Sequence, residues 1–198
     1  MRRRLYNLIL ERRTIRKFKQ KKIKKSILRK IIEAARLSPS AANLQFLEYL
    51  VVDKKTLVSK IFPYLRWAGY LKGRGTPQEG ERPPAYIVVL INKKRVKIPD
   101  LRDVGASCEN ILLSCLCFGL GSCWIASIDR FALRRILKIP SFYEIDSVIA
   151  LGYPHQSSRV INSSLDVKYW LDSNGNLIVP KRPLKEIFHY NSLKDAKR

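Results

Sequence analysis

The sequence lacks any long apolar run, and this absence excludes a membrane-spanning helix. Its longest unbroken apolar segments are short ones such as 87–91 (IVVLI), whereas a span needs about 20 apolar residues. The apolar segment near the start, 5–10, is interrupted by Asn7 and followed by Glu11, which argues against a secretory signal. We therefore expect a cytoplasmic protein with no membrane partner.

Histidine and cysteine are scarce, which argues against a zinc or histidine-based metal site. The chain has two histidines and four cysteines, and the cysteine spacing is neither C-x-x-C nor another usual zinc pattern. The cysteines all lie in a predicted helix and the strand that follows it. We therefore predict no metal site and interpret the cysteines as buried thiols in a reducing compartment. They are Cys108, Cys115, Cys117 and Cys123.

Acidic residues are also few, so the chain is strongly basic. It has 39 Lys and Arg against 16 Asp and Glu, a formal net charge of +23. Residues 1–30 contain fourteen of the basic residues and one acid, Glu11. A basic patch attracts anions without identifying them. Nucleic acid, an anionic membrane surface, a phosphate-bearing cofactor and simple solubility all stay open at this point.

The common catalytic motifs are missing. The sequence contains no G-x-S-x-G, H-E-x-x-H or G-x-x-x-x-G-K-[ST] motif. The glycines at 73 and 75 lack the third glycine of a dinucleotide-binding loop, and those at 119 and 121 follow a predicted helix instead of a strand. These absences disfavour a hydrolase, a zinc enzyme, a P-loop ATPase and a Rossmann-type glycine loop.

The apolar pattern predicts a single domain, 1–198, of the α/β or α+β class. Helical spacing indicates helices at 5–12, 24–37, 54–62, 100–118, 131–137 and 183–189. Apolar, β-rich runs indicate strands at 46–52, 85–91, 122–126 and 147–151. Asn174-Gly175 predicts a hairpin turn. Residues 66–84, rich in Gly, Pro and charge, predict a loop or lid, and 191–198 form a basic tail.

Two polar segments carry candidate binding groups. Arg12, Thr14 and Arg16 alternate, so they face the same side if the segment is extended, and a guanidinium group suits phosphate. Residues 38–45 form a loop of small and polar residues whose hydroxyl and amide groups can contact a heterocycle. Taken singly, the first segment also fits a solvated basic helix or a nucleic-acid arm, and the second an ordinary connecting loop.

Together, the two segments resemble the FMN-dependent nitroreductase family. The motif R-R-[ST]-x-R-x-F matches residues 12–18, and A-A-x-x-[SA]-P-S-x-x-N-x-Q matches residues 34–45. Further segments resemble the central helix, the strand after it, the last strand and the C-terminal segment of the family. These are 103–107 with 110–113, 119–125, 150–154 and 180–184.

The resemblance implies an α+β fold, a three-layer sandwich with a central, mostly antiparallel sheet flanked by helices. It also implies an intertwined homodimer with FMN at the interface, so that one cofactor needs groups from two chains. NAD(P)H would be the electron donor.

The resemblance further implies which residues bind FMN. Arg12 and Arg13 would contact the phosphate, Thr14 the ribityl–phosphate end, and Arg16 the pyrimidine edge near N1 and O2. A loop of the other subunit would reach the flavin through Pro39, Ser40, Ala41 and Asn43. The backbone near Ala126 and Ser127 would lie by N5, and Lys181 and Arg182 would close on the phosphate. No catalytic side chain is expected, because the chemistry occurs at flavin N5.

The implied activity is that of an NAD(P)H-dependent flavin oxidoreductase, which passes hydride to an electron-poor acceptor such as a nitroaromatic or quinone. Candidate residues lining the substrate channel are Trp67, Tyr70 and Arg74, with ordinary packing as the alternative for each. Ser127 stands where many relatives carry Gly, and Phe46 where Pro is usual, which leaves substrate choice open. A dehalogenation or another specialised redox reaction is the alternative, and a basic nucleic-acid-binding module is a remote one.

Overall fold

Four strands form the central sheet of the computed structural model, which describes residues 2–193. The strands are β1 (Leu47–Val52), β2 (Ala85–Asn92), β3 (Gly121–Ile125) and β4 (Tyr143–Gly152). They lie in the order β1-β2-β4-β3, and every neighbouring pair is antiparallel. The central strand β2 is buried along its whole length, as its continuous apolar run predicts. The expected antiparallel sheet is confirmed.

Helices cover both faces of this sheet and complete three layers. They are α1 (Arg2–Glu11), α2 (Lys25–Arg36), α3 (Lys55–Ile61), α4 (Leu101–Cys117) and α5 (Arg130–Leu137). Side chains of a strand alternate between faces. Accordingly, Ile87 and Val89 of β2 join the core with α2 and α4, whereas Tyr86 and Val88 join the core with α3 and α5.

A second, smaller sheet follows β4 and was not foreseen from the sequence. It contains β5 (Ser158–Asn162), β6 (Trp170–Leu171) and β7 (Leu177–Lys181) in the order β5-β7-β6. β5 and β6 are short and contain no buried residue, so they lack a clear apolar signature, and β7 is an apolar run of only five residues. The predicted hairpin turn between β6 and β7 is confirmed, with Gly175 at a φ of 75°.

Two expectations from the sequence are wrong. The segment 183–189 is no helix but a single 3-10 turn, Leu184–Glu186, because most of its apolar side chains find no core to pack against. Cys117 is exposed near the end of α4, whereas Cys108, Cys115 and Cys123 are buried as expected. The last five residues of the predicted basic tail lie outside the described residues. Between residues 2 and 193, no helix is long and apolar enough to cross a membrane.

The segment 66–84 is irregular, as predicted, and is attached to its surroundings. It contains one 3-10 turn, Gly69–Leu71. Ala68 and Leu71 pack against Leu177 of β7 in a small separate core. The segment therefore lies between the central sheet and the small sheet.

Candidate functional site

The segment 12–18, called the arginine segment below, leaves α1 and runs along the open edge of β3. Thr14 forms a parallel bridge with Ser122, and the Ile15 amide donates to the Ser122 carbonyl at 2.9 Å. Gly121 makes this approach possible, since a Cβ on it would lie 2.7 Å from the Ile15 Cβ. Gly121, which lies in one of the segments that resemble the family, thus has a structural role beside the candidate site.

The end of the arginine segment is held by the turn after β4. The His155 amide donates to the Lys17 carbonyl at 2.9 Å, and the Lys19 amide donates to the Tyr153 carbonyl at 2.8 Å. The Lys17 ammonium also forms an ion pair with Glu81 at 3.0 Å. These contacts at both ends keep the arginine segment extended. In an extended segment the alternating residues Arg12, Thr14 and Arg16 face the same side.

Arg16 is the one arginine of this segment whose buried atoms lack partners. Its Nε and Nη1 atoms are buried without a hydrogen-bond partner among the described residues. The guanidinium lies 5.0 Å from the ring centre of Tyr169 and interacts with the Cys123 thiol. Because a buried donor without an acceptor costs about 1–3 kcal/mol, Arg16 is arranged to meet an acceptor from outside the chain.

Tyr169, which the sequence reasoning missed, links Arg16 to the irregular segment 66–84. Its ring centre lies 5.1 Å from that of Tyr70, which is 54% exposed. Tyr169 therefore contacts both Arg16 and Tyr70, and the planes of the two tyrosine rings are tilted by 58°. No local motif marks Tyr169 in the sequence, because its position depends on how the small sheet packs.

Arg12 and Arg13 are both engaged with the protein. Arg12 Nε pairs with Glu109 of α4 at 3.2 Å. Arg13 turns back to the end of α1, where its Nη2 donates to the Leu10 carbonyl at 2.6 Å and its Nη1 to the Arg12 carbonyl. Burial, followed by the charge of Arg12, lowers the pKa of Arg13.

Both arginines also line a cavity of about 240 Å³ that includes Ser122 and Gln156. This volume is below the range of about 300–1,000 Å³ that sites for small ligands usually have. It therefore accommodates part of a ligand, and a whole cofactor requires surface beyond it.

The polar loop 38–45 is anchored on the first turn of α4. Ser40 Oγ donates to Asp103 Oδ2 at 2.7 Å, and the Ala41 amide donates to the same carboxylate at 3.0 Å. Asp103 is buried, so both hydrogen bonds are charge-assisted and shielded from water. The sequence reasoning gave Asp103 no role, although its position in the first turn of a helix marks it as a hydrogen-bond acceptor.

This loop has a strained backbone. The φ angles of Ala42, Asn43 and Gln45 are 48°, 55° and 48°, a region that residues other than glycine rarely adopt. Such strain persists only where other contacts hold it, and it concentrates at functional sites. Here the Gln45 amide donates to Ser40 Oγ at 3.1 Å. Pro39 and Ala41 are exposed, so the loop presents small side chains outward.

The other predicted site residues lie at two further places. Ala126 and Ser127 directly follow β3 and are exposed, and the Ser127 carbonyl accepts from the Arg66 amide at 3.0 Å. Lys181 is the last residue of β7 and is exposed. The next residue, Arg182, donates from its Nη2 to the backbone carbonyl of Glu186 at 2.9 Å. The structure thus places the arginine segment against β3 at Ser122 and Cys123.

Of the three residues proposed to line a substrate channel, Trp67 is part of the core. It is 7% exposed and packs against Phe62, with ring centres 5.7 Å apart. Tyr70 and Arg74 are exposed. We keep only these two as candidates for contact with substrate.

A central antiparallel sheet between two helical layers, with an extended arginine segment at one sheet edge, defines an α+β protein of the nitroreductase type. The model of the nitroreductase family matches residues 9–153, well over half of the chain. The chain therefore belongs to the nitroreductase family, as the resemblance of its motifs predicts.

Individual relatives agree with this membership. A protein of Archaeoglobus fulgidus whose assigned name is NADH dehydrogenase/NAD(P)H nitroreductase is 34% identical over 154 residues, covering 74% of this chain and 83% of its own length. An FMN-dependent nitroreductase from Clostridium difficile is 27% identical, with a TM-score of 0.66 and coverage of 94% and 99%. A crystal structure from Parabacteroides distasonis, 22% identical with a TM-score of 0.71 and coverage of 96% and 98%, shares the fold.

Proposed function

We propose that this chain is an FMN-dependent oxidoreductase that takes electrons from NAD(P)H and passes them to an electron-poor acceptor, such as a nitroaromatic or a quinone. The observation that carries the proposal is the Arg16 guanidinium beside β3, whose Nε and Nη1 atoms are buried without a hydrogen-bond partner. Support comes from the family membership and from two relatives, one named for NADH and NAD(P)H and one for FMN.

Arg16 fits the pyrimidine edge of a flavin. Its buried Nε and Nη1 are donors without acceptors, and that edge offers a nitrogen and a carbonyl oxygen at N1 and O2. A fixed cation there favours negative charge on the ring, which makes the flavin easier to reduce. The stack on Tyr169 holds the guanidinium plane in place without using its donors.

The phosphate end of FMN is assigned to the neighbouring cations. Arg12 lines the small cavity beside Ser122 and would exchange its exposed contact with Glu109 for the phosphate. Arg13 and Thr14 lie next to it on the same segment. In this proposal Lys181 and Arg182, at the end of β7, also bind the phosphate, since several cations make strong charge-assisted contacts with a doubly charged group.

A second copy of the chain completes the site in this proposal. Pro39, Ser40, Ala41 and Asn43 reach the flavin from the partner, on a loop that Asp103 holds rigid. The single chain also leaves apolar side chains of α1 uncovered, since Leu5, Tyr6, Ile9 and Leu10 are 48–62% exposed. A patch of this kind is typical of an interface, which supports a homodimer.

The proposal requires no acid–base side chain at the reaction centre. Bound FMN supplies the hydride chemistry at N5. The backbone of Ala126 and Ser127 borders that position, and Tyr70 and Arg74 border the space for the acceptor. The role of the chain is therefore to bind, to orient and to tune the potential of the cofactor.

An absorbance spectrum tests the proposal. Protein incubated with FMN and then freed of unbound flavin is expected to be yellow, and NADH or NADPH is expected to bleach it without oxygen. Adding a nitroaromatic or a quinone is then expected to restore the colour. A protein that retains no FMN, or a retained flavin that neither nucleotide reduces, would contradict the proposal.

A further inference from the structure

A second cavity, larger than the one beside Arg12, lies on the face of the sheet that carries α3. Its volume is about 730 Å³, within the range typical of sites for small ligands. Its walls come from the start of α2, from α3, from the loop 79–84 and from β2. None of the residues proposed to hold FMN lines it. We call it the basic cavity.

The lining of the basic cavity has an excess of three positive charges. The two acids are Asp53 and Glu79. The five cations are Lys22, Lys25, Lys54, Lys55 and Arg82. None of these seven side chains forms an ion pair with any residue from 5 to 193. The cations are therefore free to bind an anion from solution, and phosphate is the anion that such a cluster binds best.

The inner wall of the basic cavity is aromatic. The guanidinium of Arg82 lies 4.3 Å from the ring centre of Phe62, and Pro83 and Pro84 continue this wall. Tyr86 lies at the base and is 0% exposed. Because Arg82 covers the ring of Phe62, the apolar surfaces left for a planar ring are those of Pro83 and Pro84.

Two buried polar atoms at the inner wall lack partners. They are the Tyr86 hydroxyl and Arg82 Nε. Burial raises the pKa of Tyr86 far above its usual value, so this hydroxyl stays a hydrogen-bond donor at any physiological pH. Because unpaired buried donors are costly, their presence beside free cations indicates a ligand that offers both acceptor atoms and phosphate.

We propose that the basic cavity binds a nucleoside phosphate, with the phosphates against the lysines and Arg82 and the base against Pro83 and Pro84. This chemistry has two possible sources, a free nucleotide or the adenylate half of the nicotinamide donor. In both cases the contacts in the cavity are the same, and the two sources differ only in their effect on turnover.

Calorimetric titration of the FMN-loaded protein with ADP tests the proposal. FMN is kept bound so that the probe cannot enter the flavin site. Adenosine and pyrophosphate are titrated separately as the two halves of ADP. ADP is expected to bind about tenfold more tightly than either half. No binding of ADP, or equal binding of ADP and pyrophosphate, would overturn the proposal.

Substitutions then place the binding in the basic cavity. Arg82→Gln is expected to weaken ADP binding about tenfold, because it removes a charge-assisted contact at the inner wall. Lys55→Gln, an exposed change that leaves the fold intact, is expected to weaken it about threefold. Lys60→Gln is the matched control, since Lys60 is on the same helix but does not line the cavity. Equal losses in the two lysine variants would indicate general charge attraction and overturn the proposal.

Steady-state kinetics separate the two sources. If the donor's adenylate occupies the basic cavity, Lys55→Gln raises the KM for the nicotinamide donor by the same factor by which it lowers the affinity for ADP, and kcat is unchanged. If a free nucleotide occupies it, KM stays unchanged. Either result supports binding in the cavity, and the calorimetric readout holds even if the chain reduces no acceptor.

Discussion

The arginine segment and the basic cavity are both cationic, but they are built in different ways. The arginine segment is continuous in sequence, and two of its three arginines are engaged with Glu109 or with the end of α1. The basic cavity combines residues from distant parts of the chain, and its cations form no ion pairs within residues 5–193. In both regions it is the buried donor without a partner, on Arg16 or Arg82, that points to a ligand.

Two buried side chains, Cys123 and Tyr86, form a layer next to both regions. The Cys123 thiol interacts with Arg16 and, electrostatically, with Tyr86. Tyr86 in turn interacts with Arg82. The comparison therefore teaches that net charge alone does not locate a site in a chain this basic. Because no residue proposed to hold FMN lines the basic cavity, we expect the two regions to respond independently to substitution.

The largest expected effect separates the two regions directly. Arg16→Gln is expected to weaken FMN binding about a hundredfold, because it removes buried bonds from a charged donor that are worth about 2–3 kcal/mol in total. Arg82→Gln is expected to leave FMN binding unchanged. Titration of FMN fluorescence measures both affinities. Similar losses in the two variants would show that the regions form a single site.

The second prediction concerns how the arginine segment is held. Gly121→Ala places a methyl carbon 2.7 Å from the Ile15 Cβ, so it is expected to lower the free energy of unfolding by about 1–3 kcal/mol and to weaken FMN binding. Denaturant unfolding measures the first effect. Gly105→Ala on α4 is the control, since nothing lies within 4 Å of the added carbon. A Gly121→Ala protein as stable as this control would contradict the close approach of the segment to β3.

The third prediction concerns the strained loop. Asp103→Asn removes the charge that accepts from Ser40 and Ala41, and it is expected to weaken FMN binding about tenfold while ADP binding stays the same. Asp100→Asn, at the N-cap of the same helix, is the control, because asparagine caps helices equally well. Loss of FMN affinity in the control alone would refute this role of Asp103.

The smallest expected effect concerns the buried layer of Cys123 and Tyr86. Burial raises the pKa of Cys123 to about 11 and those of Cys108 and Cys115 to about 12. These thiols stay protonated in the folded chain at pH 8.5, and only the exposed Cys117 is expected to react with iodoacetamide. Peptide mass spectrometry identifies the labelled residues, and guanidinium-unfolded protein should label at all four cysteines. Rapid native labelling of Cys123 would mean that water penetrates the layer.

The same thiols set a pH dependence of stability. In the unfolded chain they ionise near 9.0, below their folded pKa values. Stability is therefore fully present below pH 9 and falls as the pH rises toward 11, by at most about 1.4 kcal/mol per pH unit for each thiol. Thermal unfolding at pH 8, 9 and 10 measures this fall.

Most of the central sheet and its helices could be predicted from the sequence, because their apolar spacing is strong. The run 85–91 corresponds to β2, and the spacing at 24–37 corresponds to α2. The small sheet could not be predicted in this way, since its strands have at most five residues and two of them, β5 and β6, contain no buried residue. The segment 183–189 has helical spacing but makes few contacts with the rest of the chain, so the helix that its apolar spacing predicts does not form.

The candidate site likewise contains residues that a local motif predicts and residues that depend on contacts distant in sequence. The motif at 12–18 identified Arg16 because alternation in an extended segment is a local property. Tyr169 and the anchor Asp103 could not be assigned from spacing, since their partners lie more than 60 residues away in sequence.

The sequence by itself determined the family, the layers around the sheet and the alternation that aims Arg16, because short-range periodicity and contiguous motifs encode them. Only the tertiary structure decided which cations are free. Ion pairing and burial depend on residues brought together across the chain, as Glu109 is with Arg12 and as Phe62 and Tyr86 are with Arg82.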